Sequence, residues 1–201
     1  MVLALPFIFY FRHSAAPASV EHVVIGECIV WGLLIILLLI AKFGEKEPIL
    51  FNQSRMNTLK TIGMSLLITV SLVLAGVVYR LFCRFVLHMQ APVEELTKTI
   101  LNYPFWLRLM LVIRAGVVEE TFFRAYAMTR IKQITNSNFL AFTIPLVLFA
   151  GGHYSYGTIN HVVGALVLGI VLAVWYIKRK NLASNIIGHT LFDSLALFGK
   201  M

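Results

Sequence analysis

Apolar stretches of membrane-spanning length follow one another along most of this sequence, and they constrain its fold more than any other feature. A helix needs about 20 residues to cross the hydrocarbon core of a bilayer. The stretches that approach this length are residues 23–41, 61–82, 104–130, 139–153, 159–177 and 182–198. Residues 1–11 are apolar but shorter, and they predict an interfacial or partial helix. We therefore expect an all-α, polytopic transmembrane bundle of about six to seven spans, with any polar site inside the bundle.

Composition excludes a water-soluble globule. Apolar residues make up 59% of the chain and charged residues 13%, whereas soluble domains have about 45–50% and about 25%. We expect a single transmembrane domain over residues 1–201. Within it, residues 1–100 are predicted to be generic membrane helices and residues 104–198 to be the catalytic core that carries the polar motifs.

The net charge of +8 comes from basic loops rather than from a nucleic-acid surface. No long basic run occurs, and the one triplet lies between two apolar stretches at residues 178–180. Loops 42–60, 130–138 and 178–181 concentrate lysine and arginine on what would be one side of the membrane. Because positive loops stay in the cytoplasm, we expect these three loops there. We also expect no nucleic-acid partner and a multi-pass location in a bacterial plasma membrane.

The third apolar stretch contains charged residues, among them Arg114, Glu119, Glu120 and Arg124. Ionisable groups are costly in a membrane helix and therefore point to function. Glu120 and Arg124 are four residues apart, the spacing of an ion pair on one face of an α-helix. Glu119 lies about 100° away round an α-helix and gains no partner from this spacing. We expect Arg124 to hold Glu120 ionised, which leaves Glu119 free to exchange a proton. The alternative is a structural salt bridge that locks helices together.

The last apolar stretch carries a polar stripe. Asn185, His189 and Asp193 follow one another at intervals of four residues, so they share one face of a helix. Asp193 is the only aspartate in the chain, and an aspartate at a helix centre costs about 2.5–3.5 kcal/mol on insertion scales. The stripe is therefore predicted to face a cavity, with a polar seam between helices as the alternative.

His153 ends the fourth stretch, directly after two glycines that permit close backbone approach. A histidine at this place is commonly interfacial. However, a rise of 1.5 Å per residue gives Glu119, His153 and His189 depths of roughly 10–20 Å from the cytoplasmic side. We therefore expect these three side chains to line one cavity near the middle of the membrane.

Together these motifs resemble the signature of the CPBP family, the CAAX-protease and bacteriocin-processing proteins that include the type II CAAX prenyl endopeptidases. The motifs are Glu119-Glu120-x-x-x-Arg124, Phe149-x-x-x-His153 and His189-x-x-x-Asp193. Each motif alone is weak, whereas three in this order, each in an apolar helix, are specific. The resemblance covers residues 116–197, and residues 1–100 match only as generic membrane helices.

The resemblance implies an intramembrane, glutamate-dependent endopeptidase that cleaves a peptide or a C-terminal tail with an activated water. Glu119 and His153 would activate the water for attack on a peptide carbonyl. His189 and Asp193 would stabilise the oxyanion that develops on the carbonyl oxygen. The implied partners are the lipid bilayer and a peptide or protein substrate, either prenylated or a bacteriocin-like precursor.

The sequence departs from the family pattern at one catalytic position. The family often has Asn where this chain has Asp193, and an ionised Asp has no proton to donate. Orienting His189 is therefore the role that suits Asp193 better. The resemblance assigns Glu120 and Arg124 to holding the geometry, and Asn185 supports them from the same stripe as His189.

A metal is the main alternative to this chemistry. Glu119, His153 and His189 could supply a zinc ligand set. No His-Glu-x-x-His helix occurs, however, and pairing of Glu120 with Arg124 would remove one further ligand. We therefore expect catalysis without a metal and no other cofactor, and zinc is kept as the less favoured reading.

Two functions of other classes stay open. Family members linked to bacteriocin self-protection suggest an immunity or binding protein that acts with little or no proteolysis. Glu119 and His189 could instead relay protons in a small transporter, although the sequence shows no internal repeat of the kind that inverted-repeat transporters contain.

Residues without a partner motif are set aside as candidates. Cys28 and Cys83 lie in apolar stretches, where a lone cysteine behaves as a small hydrophobe. The polar residues set aside are Glu94, Glu95, Lys98, Asn160, His161, His22 and Glu27.

Overall fold

The computed structural model describes residues 19–49, 54, 56–88, 100–156 and 159–198. These residues form helices α1 (Val20–Leu39), α2 (Thr58–Phe85), α3 (Phe105–Thr135), α4 (Asn138–Gly152), α5 (Ile159–Arg179) and α6 (Leu182–Phe198). Two of the helices depart locally from α-helical geometry: α1 continues as a π-helical turn at Ile40–Gly44, and α3 is π-helical over Ala115–Ala127. The prediction of an all-α bundle is confirmed. The partial helix at 1–11 and the acidic pair at 94–95 lie outside the described residues.

Short polar residues begin three of the helices. The side chains of Ser19, Asn57 and Ser137 accept hydrogen bonds from backbone N–H groups in the first turns of α1, α2 and α4, at 3.4, 2.9 and 3.2 Å. Such caps satisfy donors that the helix itself cannot pair. Pro104 begins α3, where its missing N–H costs nothing.

Among the described residues, three helices are long and apolar enough to cross a membrane, namely Val20–Gly44, Thr58–Phe85 and Ile159–Arg179. Large apolar side chains cover their outer faces; Val78 of α2, for example, is 65% exposed. Such continuous apolar exposure suits lipid and not water. The chain is therefore an integral membrane protein. Asn138–Gly152 is apolar but only 15 residues long, so a count of six spans stays a prediction.

Helices α2, α5 and α6 pack closely at the centre of the bundle. Ile68 and Leu72 of α2 form a buried cluster with Leu172 of α5. Gly188 brings α6 against α2, since a Cβ there would lie 2.7 Å from Ile68 Cγ2 and 3.0 Å from the Ser65 carbonyl oxygen. The absence of a side chain at Gly188 therefore sets the distance between α2 and α6.

The π-helical part of α3 packs between α6 and α1. A Cβ on Gly116 would lie 2.9 Å from the carbonyl oxygen of Ile186 and would overlap Thr190. On the other side, Val118 joins a buried cluster with Val30 and Leu34 of α1. This packing holds the third apolar stretch, with its glutamates, inside the bundle.

Two of the loops predicted to share one side of the membrane contact each other. Arg130 binds Glu45 and Glu47 with N–O distances of 2.7 and 2.9 Å, and Tyr126 donates a hydrogen bond to Glu45 at 2.7 Å. Partial burial raises the pKa of Glu45. The Tyr126 hydroxyl and the Arg130 guanidinium together lower it by more, so that this pKa lies below its ordinary value. These contacts join the end of α1 to the end of α3.

Replacing Gly188 with alanine should destabilise the bundle, because the added methyl group overlaps Ile68 and the backbone of α2. Overpacking of this kind costs about 1–3 kcal/mol. Gly63→Ala is the matched control, since a Cβ on Gly63 meets nothing within 4 Å. Unfolding midpoints in detergent should fall for Gly188→Ala and stay level or rise for Gly63→Ala. Equal midpoints for the two variants would contradict the close crossing of α2 and α6.

Candidate active site

Glu120 lies at the centre of the polar interior and is completely buried. Its Oε1 lies 2.9 Å from Nη1 of Arg124, whose side chain is 2% exposed. The pair has the four-residue spacing predicted from the sequence. A charge buried this deeply must be paired and hydrogen-bonded to be tolerated, and the remaining contacts of Glu120 show how that is achieved.

Helix α6 supplies the other partners of Glu120. Nδ1 of His189 lies 3.0 Å from Oε1 of Glu120, and the amide of Asn185 donates to Oε2 at 3.1 Å. The same amide also donates to the carbonyl oxygen of Leu172 in α5 at 2.9 Å. One carboxylate thus connects α3 with α6 directly and with α5 through Asn185.

Arg124 extends these contacts to α4. Its Nη2 donates to the carbonyl oxygen of Gly169 in α5 at 3.4 Å. Its guanidinium carbon lies 4.4 Å from the centre of the Phe149 ring in α4, within the range of a cation–π interaction. Glu120 and Arg124 therefore tie together the four helices α3, α4, α5 and α6.

The predicted stripe on α6 continues to Asp193. Nε2 of His189 lies 3.5 Å from Oδ2 of Asp193. The imidazole ring thus has a carboxylate at each nitrogen, one from α3 and one from its own helix. The Asp193 side chain is 28% exposed, whereas that of Glu120 is inaccessible. His189 therefore links the buried Glu120 with the partly exposed Asp193.

Glu119 has a partner that sequence spacing did not predict. Nη1 of Arg114 lies 3.0 Å from Oε1 of Glu119, five residues further along α3. Residues five apart lie about 140° from each other in an α-helix, but Ala115–Ala127 is π-helical, with i to i+5 hydrogen bonds. The expectation of an unpartnered Glu119 is therefore wrong, because it assumed regular α-helical geometry.

Glu27, set aside in the sequence analysis, is a second correction. It is 4% exposed in the interior of α1, and its Oε1 lies 3.2 Å from Nε of Arg114. The sequence carried one signal for this role, since Glu27 is an acidic residue inside an apolar helix. Its partner lies 87 positions away, which local spacing cannot reveal.

His153 lies where α4 ends and a 3-10 turn, His153–Tyr156, begins. Its Nδ1 lies 2.8 Å from the Phe149 carbonyl oxygen. Because a carbonyl only accepts, Nδ1 carries the proton and the lone pair of the ring lies on Nε2. The ring is close enough to Glu119, Arg114 and His189 for their charges to act on it. The structure thus brings the three predicted motifs into one electrostatic neighbourhood.

The residues of this site do not fit a bound metal ion. Among the residues described, no three His, Cys, Asp or Glu side chains are arranged to hold one. Each ring nitrogen of His189 already faces a carboxylate, and Glu119 binds Arg114. A cation there would also stand next to the Arg114 guanidinium, whose charge would repel it.

The fold and the site define a helical membrane protein with a buried glutamate–arginine–histidine centre. Residues 101–195 match the family model for Type II CAAX prenyl endopeptidase Rce1-like proteins. This segment is similar to that family, which confirms the resemblance to the CPBP proteins. The family is one of proteases. No curated protein and no solved structure matches the chain.

Removing the buried charge of Glu120 alone should destabilise the protein strongly. Glu120→Leu leaves Arg124 as an unpaired buried cation, which costs about 3–5 kcal/mol. The double variant Glu120→Leu/Arg124→Met should recover much of that loss, because it removes both charges. Glu47→Gln is the control, since the exposed pair with Arg130 contributes about 0–1 kcal/mol. Unfolding measured in detergent checks this order, and a double variant no more stable than Glu120→Leu would contradict it.

Proposed function

We propose that this protein is an intramembrane, glutamate-dependent endopeptidase of the CAAX prenyl protease type. It hydrolyses a peptide bond in a peptide or C-terminal tail that reaches the site from the membrane. The observation that carries the proposal is the contrast between the two adjacent glutamates. The Glu120 side chain is inaccessible and fully engaged, whereas that of Glu119 is 12% exposed and within electrostatic range of His153.

Glu119 acts as the general base. Water gives a proton to its carboxylate while the oxygen forms a bond to the carbonyl carbon of the substrate. The carbonyl π electrons move onto oxygen and produce a tetrahedral oxyanion. When the oxyanion collapses, the C–N bond breaks and the proton held by Glu119 passes to the leaving amine. Nε2 of His153, which carries the lone pair because Nδ1 donates to Phe149, accepts a hydrogen bond from the water and orients it.

His189 stabilises the oxyanion in this proposal. Its Nδ1–H donates to Glu120, so Nε2 is the atom turned towards Asp193 and the accessible side. An N–H at Nε2 can donate to the oxyanion, and preorganised donors of this kind lower barriers by several kcal/mol. Asp193 orients the ring and favours the proton on Nε2. It has no need to donate a proton itself.

Glu120, Arg124 and Asn185 position the reacting groups. Their contacts fix α6 relative to α3, and so fix His189 relative to Glu119. Misplacing a reacting group by about 1 Å can cost 100-fold in rate. The carboxylate of Glu120 is thus kept from water so that it can hold the imidazole.

The family description favours a prenylated protein or peptide with a C-terminal CAAX sequence as substrate. A bacteriocin-like precursor fits the same chemistry, since the catalytic groups act on the peptide bond. The proposal places the protein in a bacterial plasma membrane, with the basic loops in the cytoplasm. The lipid bilayer is its other partner, and nucleic acid is not one.

Glu119→Gln should abolish cleavage of a farnesylated CAAX peptide by purified protein in detergent or liposomes. The amide keeps the shape of the side chain but cannot accept the water proton, and loss of a general base costs about 10²–10⁴-fold. Unfolding should change little, which separates this variant from Glu120→Gln, expected to lose both activity and stability. Glu47→Gln should cleave like the wild type. Wild-type rates in Glu119→Gln would overturn the assignment.

Cleavage should persist after thorough chelation and dialysis, because no step requires a cation. Metal content measured on the same dialysed sample verifies removal. A zinc enzyme would lose activity to the chelator and regain it when zinc is added. Inactivation that zinc reverses would therefore contradict the proposed mechanism, even with Glu119 still essential.

A further inference from the structure

Arg114 links the proposed catalytic base to α1. We propose that Arg114 is a positioning residue that holds the Glu119 carboxylate in its working orientation, and that Glu27 fixes Arg114. The inference rests on the proposed function, in which Glu119 activates water. It makes α1, which lies outside the matched segment 101–195, part of the active site.

The first support is the geometry of the guanidinium. Arg114 is 7% exposed; its Nη1 lies 3.0 Å from Oε1 of Glu119 and its Nε 3.2 Å from Oε1 of Glu27. A guanidinium is planar, so contacts at two of its nitrogens fix its orientation as well as its position. Arg114 thereby holds one oxygen of Glu119, and the second oxygen is the one that can take a proton from water.

The second support is the helical geometry that the pair requires. Arg114 is the last residue before the π-helical segment, and Glu119 lies inside it. In a continuous α-helix the two side chains would diverge by about 140°. The wider π turn brings them to one face, and π-helical geometry is often associated with functional sites.

The third support is the burial of Glu27. A carboxylate inside an apolar membrane helix is costly, and Glu27 is 4% exposed. Its Oε2 is buried without a hydrogen bond in the part of the chain that the structure describes. A helix anchor alone would be served as well by an apolar side chain, so the burial of this charge indicates a role directed at Arg114.

The charged groups around Glu119 indicate why Glu27 and Glu119 share Arg114. Arg114 on the same helix binds Glu119, and Glu27 of α1 binds that arginine as well. His153 after α4 and Asp193 in the polar stripe of α6 are near enough for the charge of Glu119 to act on them. If Arg114 bound only Glu119, the whole positive charge of its guanidinium would act on that one carboxylate. Glu27 takes up part of the positive charge, so that Glu119 is oriented by Arg114 as one of two carboxylates that the arginine binds.

The test compares Arg114→Gln, Arg114→Lys and Glu27→Gln by kcat and KM for the farnesylated CAAX peptide. Arg114→Gln should lower kcat about 10- to 100-fold with little change in KM, because the orientation of the base matters only in the transition state. Arg114→Lys should keep part of the activity, since the ammonium retains the charge but not the planar fork. Glu27→Gln should lower kcat less than Arg114→Gln.

A double variant distinguishes positioning from simple stability. If Glu27 acts through Arg114, then Glu27→Gln added to Arg114→Gln should change kcat by less than about twofold. Arg130→Gln is the matched control, because Arg130 lies on the same helix and also binds two glutamates, but far from Glu119. All rates are measured on monodisperse protein, so that a loss of folded material does not appear as a loss of kcat.

The outcomes separate the two proposals. Wild-type cleavage with an unchanged kcat in folded Arg114→Gln or Arg114→Lys would overturn the positioning role and leave the proposed protease standing. Independent effects of Glu27→Gln and Arg114→Gln on kcat would overturn the role of Glu27 alone. No cleavage by the wild type, with Glu119→Gln indistinguishable from it, would overturn the proposed function and this inference with it.

Discussion

The buried carboxylate of Glu120 is the constraint on which the rest of the interior depends. In a bilayer, nothing outside the protein can solvate that charge, so the surrounding helices must do so. Arg124 neutralises it, while His189 and Asn185 donate to its two oxygens. Each partner comes from a fixed place on its helix. Satisfying one charge therefore sets the relative positions of α3 and α6, and Asn185 and Arg124 extend the arrangement to α5 and α4.

Sequence reasoning was sufficient for contacts between side chains four residues apart. The Glu120–Arg124 pair and the His189–Asp193 contact are both four residues apart, and both occur as predicted. The all-α fold follows from apolar length alone. Glu119 was different, because its contact with Arg114 depends on a π-helix. The local sequence has no marker that separates a π-helix from an α-helix, since both place polar residues among apolar ones.

Glu27 illustrates the second limit of reasoning from one sequence. Its burial and its partner follow from how α1 packs against the π-helical segment, through Val30, Leu34 and Val118. The cost of a membrane carboxylate marked it as unusual, but only tertiary packing could connect it with Arg114. The close crossings at Gly116 and Gly188 are similar cases. A glycine in a helix is visible in the sequence, whereas the neighbour that requires it is not.

The π-helical segment of α3 also restricts how the chain can change in length. Its 13 residues are clamped at both ends, by Arg114 with Glu27 on one side and by Arg130 with Glu45 on the other. Deleting or inserting one residue would rotate Arg130 relative to Arg114 about the helix axis, so the two clamps could not both keep their partners. Loops tolerate insertions and deletions, whereas a change of length in this stretch would act on both of these ion pairs. Its length is therefore as much a requirement of the site as the identity of its glutamates.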